Sequence, residues 1–439
     1  MKALVYRLKS NPKYTKAFYW GKYISITGST QVIVQAISLF CGLLIIRFLS
    51  PNEYALYTLA NMILSTMTVL AECDISSAVM AQGGKVWRDP KKLGIVLVTA
   101  FDIRRKFGIV SMIFVTPVLF YLLLHHGASW GLSVLIILSI IPAFFATLSD
   151  TLLEVPPKLV QDIAPLQKNL LQASFVRLFL TAISIVLFPW AFIAILTGGL
   201  PRIWANIGLK KISRTYIDWQ QKVDDQIRKE ILTFVKRILP MAIFYGFSGQ
   251  VTIWLISIFG SATAVAQIGA LSRLAAFLGL ISVLFATLVV PRFARLPANR
   301  KILFTYFMQI MTGLLTLTVS IVGIAYFFSP QVLWILGSSY SALQTELVLS
   351  ILGSGLALIA GAIYSLNLSR GWTINPFLYV TLTVITISVV AALIDVSTLK
   401  GVLVFNILTT IIYVLINGIY GLTNIIKIKN NQSEGYLPF

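Results

Sequence analysis

Two arginines, Arg177 and Arg273, stand deep inside apolar runs of this chain. A guanidinium is a planar fork of five donors that stays charged, and its bidentate, charge-assisted bonds to phosphate are strong. The chemistry expected of the pair is recognition of a phosphate-bearing anion in a low-dielectric cavity. Acidic groups in comparable surroundings are Glu72 and Asp74, with Asp102, Asp150, Glu154 and a third arginine, Arg202, placed nearer the ends of apolar runs. An ionisable residue inside a membrane span costs about 2.5–3.5 kcal/mol on insertion scales, so each calls for a reason. The alternative to anion binding is that Arg177 and Arg273 pair with Glu72 or Asp74 and fix a helix bundle. Those two acids are two residues apart and point to nearly opposite faces of an unbroken helix. At most one then faces a cavity, where it is a candidate for coupling H+ or for pairing an arginine.

Uncharged polar residues form stripes. Gly28, Gln31, Gln35, Ser38 and Gly42 recur at three- and four-residue spacing and share one helix face. Tyr245, Ser248 and Thr252, with Gln250 beside them, form a similar stripe in the second half. Small and polar residues are common at helix seams in lipid; the functional alternative is that both stripes line an aqueous cavity. The sequence holds no GxxxxGK[ST], HExxH, GxSxG or CxxC motif. Cys41 and Cys73 fall within apolar runs and read as free, packed thiols, with no metal site and no disulfide framework. His125 and His126 lie in a short gap and read as interfacial.

The elements that carry these residues are membrane spans. The chain of 439 residues is 57% hydrophobic and 11% charged, against about 25% charged in soluble domains. Its mean hydropathy is +0.86. A spanning helix needs about 20 apolar residues, and about twelve such runs are present. They fall at about 24–46, 54–80, 107–124, 131–149, 169–188, 190–207, 238–259, 265–290, 302–328, 343–366, 375–394 and 401–424. Continuous runs such as 109–124 do not alternate as barrel strands do, so the class is an all-α polytopic bundle. The first run lacks a small-residue cleavage site and is too long for a signal h-region, so it is expected to stay as the first span. The stretch before it, with Tyr14, Phe18, Tyr19, Trp20 and Tyr23 among lysines, reads as an interfacial helix.

The net charge of +20 is a topology signal. Thirty of the 35 lysines and arginines fall in alternate gaps and tails, with only Arg47 and Lys400 on the opposite side. By the positive-inside rule both termini are cytoplasmic. No segment is long enough for a soluble module with a basic face, which excludes nucleic-acid binding as the role of that charge. The polar stretch at 208–237 separates an N-terminal lobe of six spans (1–207) from a C-terminal lobe of six (238–439), as a cytoplasmic linker with some amphipathic helix. Residues 29–40 and 248–259 match at six of twelve positions, a trace of internal repetition. Two parallel repeats rocking about a midplane site are a transporter plan.

Residues 47–59, RFLSPNEYALYTL, resemble the R-x-L-[GS]-P-x-[ED]-[YF]-[AG]-x-Y-x-L signature of polysaccharide-export flippases. Residues 71–79, AECDISSAV, resemble the D-x-G-L-S-S-A-V stretch at the end of their second span, with Glu72 in place of the aspartate and Asp74 where glycine is usual. The region from Leu271 and the Val290-Pro-Arg exit of the eighth span are similar too. The family is the O-antigen and polysaccharide (Wzx-type) branch of the multidrug/oligosaccharidyl-lipid/polysaccharide (MOP) exporter superfamily. The resemblance implies two six-helix lobes around a central cavity in the bacterial inner membrane. It implies flipping of an undecaprenyl-diphosphate-linked oligosaccharide to the periplasmic leaflet, coupled to a cation (H+ or Na+) or the membrane potential. Polymerisation by polymerase and chain-length partner proteins would follow. On this reading Arg273, supported by Arg177, neutralises the diphosphate, and Gln31, Gln35, Ser248, Gln250 and Thr252 contact sugar hydroxyls. No cofactor is expected. One alternative is a multidrug and toxin antiporter of the same superfamily, for which acidic cavity residues would suit cationic drugs. The other is a non-transport polysaccharide enzyme, which would need a larger outer loop than residues 328–342 provide.

Overall fold

The computed structural model describes residues 12–428 apart from 249, 295 and 373, and side chains from Gly28 onward except at 237, 238, 240–243, 245–247, 287, 288 and 291. Every regular element among them is helical. Among the described residues, ten helices are long and apolar enough to cross a membrane, or up to eleven if one bent pair is counted as a span. This is a multi-pass membrane protein. The chain divides into two compact units, residues 1–250 and 251–439.

The first unit opens with α1 (Pro12–Phe48), which runs unbroken from the aromatic and lysine-rich stretch into the first span. Side chains of that stretch before Gly28 lie outside the described residues. Then follow α2 (Pro51–Glu72), α3 (Ile75–Val86), α4 (Pro90–His125), α5 (Trp130–Leu153) and the short α6 (Val155–Leu159). The unit continues with α7 (Ala164–Leu187), α8 (Ala191–Arg214) and α9 (Asp225–Ser248). Starts are set by caps: Ser50 and Ser129 accept from backbone N–H groups three residues on, and Pro51 and Pro90 occupy first-turn positions where a missing N–H costs nothing. The turn at residues 188–190 separates α7 from α8. Glu53 of the signature segment reaches across to it and accepts from the Ala191 N–H at 2.6 Å, supplying the anion that a helix N-terminus favours. Helix α5 packs tightly on α8, since a Cβ at Gly199 would lie 2.9 Å from Ala143 Cβ.

Helix α4 has 36 residues, about 54 Å of helix against a hydrocarbon core of about 30 Å. Its first turns therefore project beyond the bilayer on the basic side. There they build a second core with α3, the 215–224 segment and the start of α9, in which Ile75, Val79, Leu93, Leu97, Ile217 and Ile231 are buried. The polar 208–237 stretch is thus anchored by its apolar residues to the ends of membrane helices.

The second unit holds α10 (Val251–Phe259), α11 (Ala262–Ala275), α12 (Leu278–Leu284), a π-helical turn (Phe285–Val289) and α13 (Val290–Ala294). Helices α14 (Arg300–Phe327), α15 (Ser329–Leu336), α16 (Gln344–Ser369), α17 (Pro376–Leu393) and α18 (Leu399–Lys427) complete it. Its core lies between α14 and α16, around Leu303, Phe307, Leu358 and Leu366. Arg370 donates to the carbonyls of Ala294 and Leu296, both at 2.8 Å, and so fixes the chain between α13 and α14. The expected seventh span, 238–259, is divided between α9 and α10. The eighth is α11 and α12, bent by 40°.

Candidate functional site

The first unit carries an open cavity of about 360 Å³ between α2, α5, α7 and α8, with Arg202 exposed in its wall. Tyr57, Asn61, Ser65 and Thr68 line it from one face of α2, Thr147 from α5, Arg177 from α7, and Gly198 and Arg202 from α8. Spacings of three and four bring the four α2 residues to one side of the helix. Most of their backbone-directed bonds turn inward along their own helices: Asn61 Nδ2 donates to Tyr57 O at 2.7 Å and Thr68 Oγ1 to Leu64 O at 2.7 Å.

Both arginines stand near the middle of helices long enough to cross the membrane. Arg177 lies ten residues before the end of α7 and Arg202 eleven after the start of α8, which is about 15–17 Å from the shared turn at 1.5 Å per residue. Arg202 donates to Thr147 Oγ1. The Nε of Arg177 is buried with no hydrogen-bond partner. The Asp150 carboxylate, one turn beyond Thr147, interacts electrostatically with Arg202, and its Oδ1 is buried without a hydrogen-bond partner. Among the described residues, no acidic side chain lines the cavity itself. The site is a cationic, hydroxyl-rich pocket at midplane depth, suited to an anion with hydroxylated neighbours.

Below it, the second span is broken. Cys73 and Asp74 both adopt left-handed backbone, φ 40° and 56°, a conformation easiest for glycine and tolerated by aspartate. The Cys73 N–H closes α2 on Val69 O at 3.1 Å, and Asp74 O receives the first bonds of α3. Because the helix is interrupted, the geometry of opposite faces expected for Glu72 and Asp74 does not apply. Glu72 accepts from Ser76 Oγ at 2.9 Å and meets Arg104 Nη2 at 3.4 Å, and Asp74 accepts from Ser77 Oγ. Arg104 is 2% exposed and also donates to Leu148 O at 2.7 Å and to Thr151 Oγ1. The basic partner of Glu72 is therefore Arg104.

The other expected residues are distributed as follows. Gln31 and Gln35 are half-buried on α1, which packs on α7, but they do not line the arginine cavity. Ser248 ends α9 and Gln250 ends the first unit, whereas Thr252 lies on α10 of the second. Arg273 is half-buried on α11, one turn before the 40° bend. Cys41 and Cys73 are buried free thiols.

Two charged groups stand elsewhere than the apolar runs suggest. Arg202 is near the end of the run 190–207 but at the midpoint of α8, which continues to Arg214. Arg104 is outside the run 107–124 but within α4, which begins at Pro90, and it is buried. The α2 stripe had a legible signal, polar residues at 57, 61, 65 and 68, of the same kind that drew attention to Gln31 and Gln35.

No protein-family model matches the chain, and no curated protein matches it. Solved structures do. An inward-facing MATE family multidrug transporter of the MOP superfamily aligns with a TM-score of 0.71 at 15% identity, over 91% of this chain and 96% of its own. A MATE transporter in complex with MaD3S aligns with a TM-score of 0.62 at 15% identity, over 96% and 98%. A MOP superfamily transporter from Pyrococcus furiosus, described as having a binding pocket of reverse polarity that suggests a different function, aligns with a TM-score of 0.62 at 15% identity, over 97% and 98%. The chain has the fold of the MATE transporters of the MOP superfamily.

Proposed function

We propose that this protein is a secondary transporter of the flippase kind, moving an undecaprenyl-diphosphate-linked oligosaccharide from the cytoplasmic to the periplasmic leaflet of the bacterial inner membrane. The observation that carries the reading is the pairing of Arg177 and Arg202 at midplane depth in a cavity with no acidic lining. A diphosphate is the costly part of such a cargo to move through a low-dielectric region, and two guanidinium forks offset that cost. The lipid tail stays in the bilayer while the sugar and diphosphate pass through a polar path. Tyr57, Asn61, Ser65, Thr68 and Thr147 offer hydroxyl and amide groups for sugars. Arg273 on α11 is the further diphosphate ligand, and Ser248, Gln250 and Thr252, with Gln31 and Gln35 on α1, are additional sugar contacts.

Coupling is assigned to H+ or Na+. Glu72 is held by Arg104 and Ser76, which suits a structural ion pair, leaving Asp74 as the freer of the two acids named from sequence. Alternating access moves the site between leaflets, and the exported unit passes to polymerase and chain-length proteins. The antiporter alternative for cationic drugs is disfavoured by two arginines and no carboxylate on the cavity wall. Pocket polarity can change cargo on one fold, as is suggested for the Pyrococcus furiosus transporter. The deciding experiment is deletion of the gene with lipid-linked oligosaccharide assayed by membrane sidedness. Accumulation on the cytoplasmic leaflet with loss of surface polysaccharide is expected; unchanged polysaccharide with altered drug sensitivity would overturn the reading.

A further inference from the structure

Helices α5 and α8 are a wall with two sides. Thr147 and Arg202 face the arginine cavity, while Pro142, Phe145, Ala146, Ile203 and Ile207 line a separate groove of about 630 Å³ on the other side. Phe145, Ile203 and Ile207 are 36%, 37% and 55% exposed, and in a spanning bundle that exposure is to lipid. The groove runs from Pro142 to Leu153 along α5, about 16 Å, roughly the depth of one leaflet's hydrocarbon. It rises toward the basic end of the unit, where Trp219 and Lys210 close it, the Lys210 ammonium lying 5.8 Å from the Trp219 ring centroid.

A second hollow of about 370 Å³ is continuous with it. The two share Phe101, Phe145 and Ser149, and Arg105 lines the second. The carboxylate nearest this rim, Asp102, is already taken by Lys106 and Arg228. Neither Lys210 nor Arg105 has a carboxylate partner among the described residues. An apolar trough one leaflet deep, ending at two uncompensated cations, is complementary to a chain with an anionic head.

We infer that the α5–α8 groove is a binding site for an anionic glycerophospholipid of the basic-side leaflet, with its phosphate at Lys210 and Arg105 and an acyl chain against Ile203 and Phe145. The site is separate from the arginine cavity and does not depend on what that cavity carries.

The test uses purified full-length protein in detergent, with lipid binding read by native mass spectrometry. Dioleoyl phosphatidylglycerol is expected to bind at least about tenfold tighter than dioleoyl phosphatidylcholine, a difference of about 1.4 kcal/mol. Lys210→Gln and Arg105→Gln remove head contacts, and Ile203→Trp fills the trough while leaving the charges. All three are at exposed positions, and each is expected to weaken phosphatidylglycerol binding about fivefold or more at unchanged melting temperature. Free glycerol 3-phosphate is expected not to compete. Equal binding of the two lipids, or indifference to all three variants, would overturn the proposal by making the contact ordinary annular lipid. Competition by glycerol 3-phosphate, or loss with the charge variants but not with Ile203→Trp, would overturn it in favour of a simple anion site.

Discussion

At Arg202 the geometry of the guanidinium matters as much as its charge. Its bond to Thr147 Oγ1 aims one arm and leaves the others for an anion in the cavity. Arg202→Lys keeps the charge but not the fork. Transport is therefore expected to fall partway in Arg202→Lys and by about 10–100-fold in Arg202→Ala, the equivalent of one charge-assisted bond of about 1.5–3 kcal/mol. Initial rates in inverted vesicles, normalised to protein level, would show it; equal rates in Lys and Ala variants would remove the fork from the account. A different single residue tests polar burial. Tyr340, in the turn between α15 and α16, is 3% exposed and its hydroxyl has no partner, and burial pushes its pKa up to about 12. Tyr340→Phe removes a desolvated hydroxyl and is expected to stabilise the protein by about 1 kcal/mol, read as a raised melting temperature in detergent. A lowered one would mean that the hydroxyl contributes a stabilising bond.

Among the elements, the break between α2 and α3 is the most constrained. Asp74 stands where the resembling family has glycine, and its φ of 56° explains why glycine serves there. Asp74→Gly is expected to be neutral or mildly stabilising, whereas a β-branched Asp74→Val should lose about 1–2 kcal/mol. Melting curves of the pair decide it, and equal stability of both would mean the left-handed turn is not held. The clamp around the same break is Arg104, which joins Glu72, Leu148 and Thr151. Removing one member of a buried pair strands the other, so Arg104→Ala should cost about 3–5 kcal/mol, less whatever the partly exposed Glu72 recovers from water. Fluorescence size-exclusion profiles after heating would register the loss, and a wild-type profile would contradict a structural clamp. These elements also show why the sequence was only partly legible. Apolar runs locate the part of a helix inside the bilayer and are silent about turns that continue into the headgroups. Spans were therefore read short at the start of α4 and the end of α8, and Arg104 and Arg202 were displaced accordingly. The break at Cys73–Asp74 was visible only as a missing glycine.

For the whole molecule, the all-helical polytopic plan and the break between spans at 188–190 followed from hydropathy, because a bilayer admits so few architectures, whereas the superfamily fold was implied only by the resemblance of residues 47–59 and 71–79. The cavity followed from neither. Its polar wall combines Thr147 of α5, Arg177 of α7 and Arg202 of α8 with Tyr57, Asn61, Ser65 and Thr68 of α2, and no spacing rule along the chain links those helices. Depth was the one coordinate the sequence supplied; it singled out Arg177 and Arg273 and placed Arg202 nearer the end of its run. The central claim is that Arg177 and Arg202 together receive the diphosphate of a lipid-linked glycan. The most direct measurement is sidedness of the lipid-linked oligosaccharide in a deletion strain complemented with wild type, Arg177→Ala, Arg202→Ala or the double variant, each at matched membrane levels. The account predicts restored outward transfer with wild type, reduced transfer with either single variant, and cytoplasmic-leaflet accumulation close to that of the deletion with the double. Wild-type transfer by the double variant would contradict it.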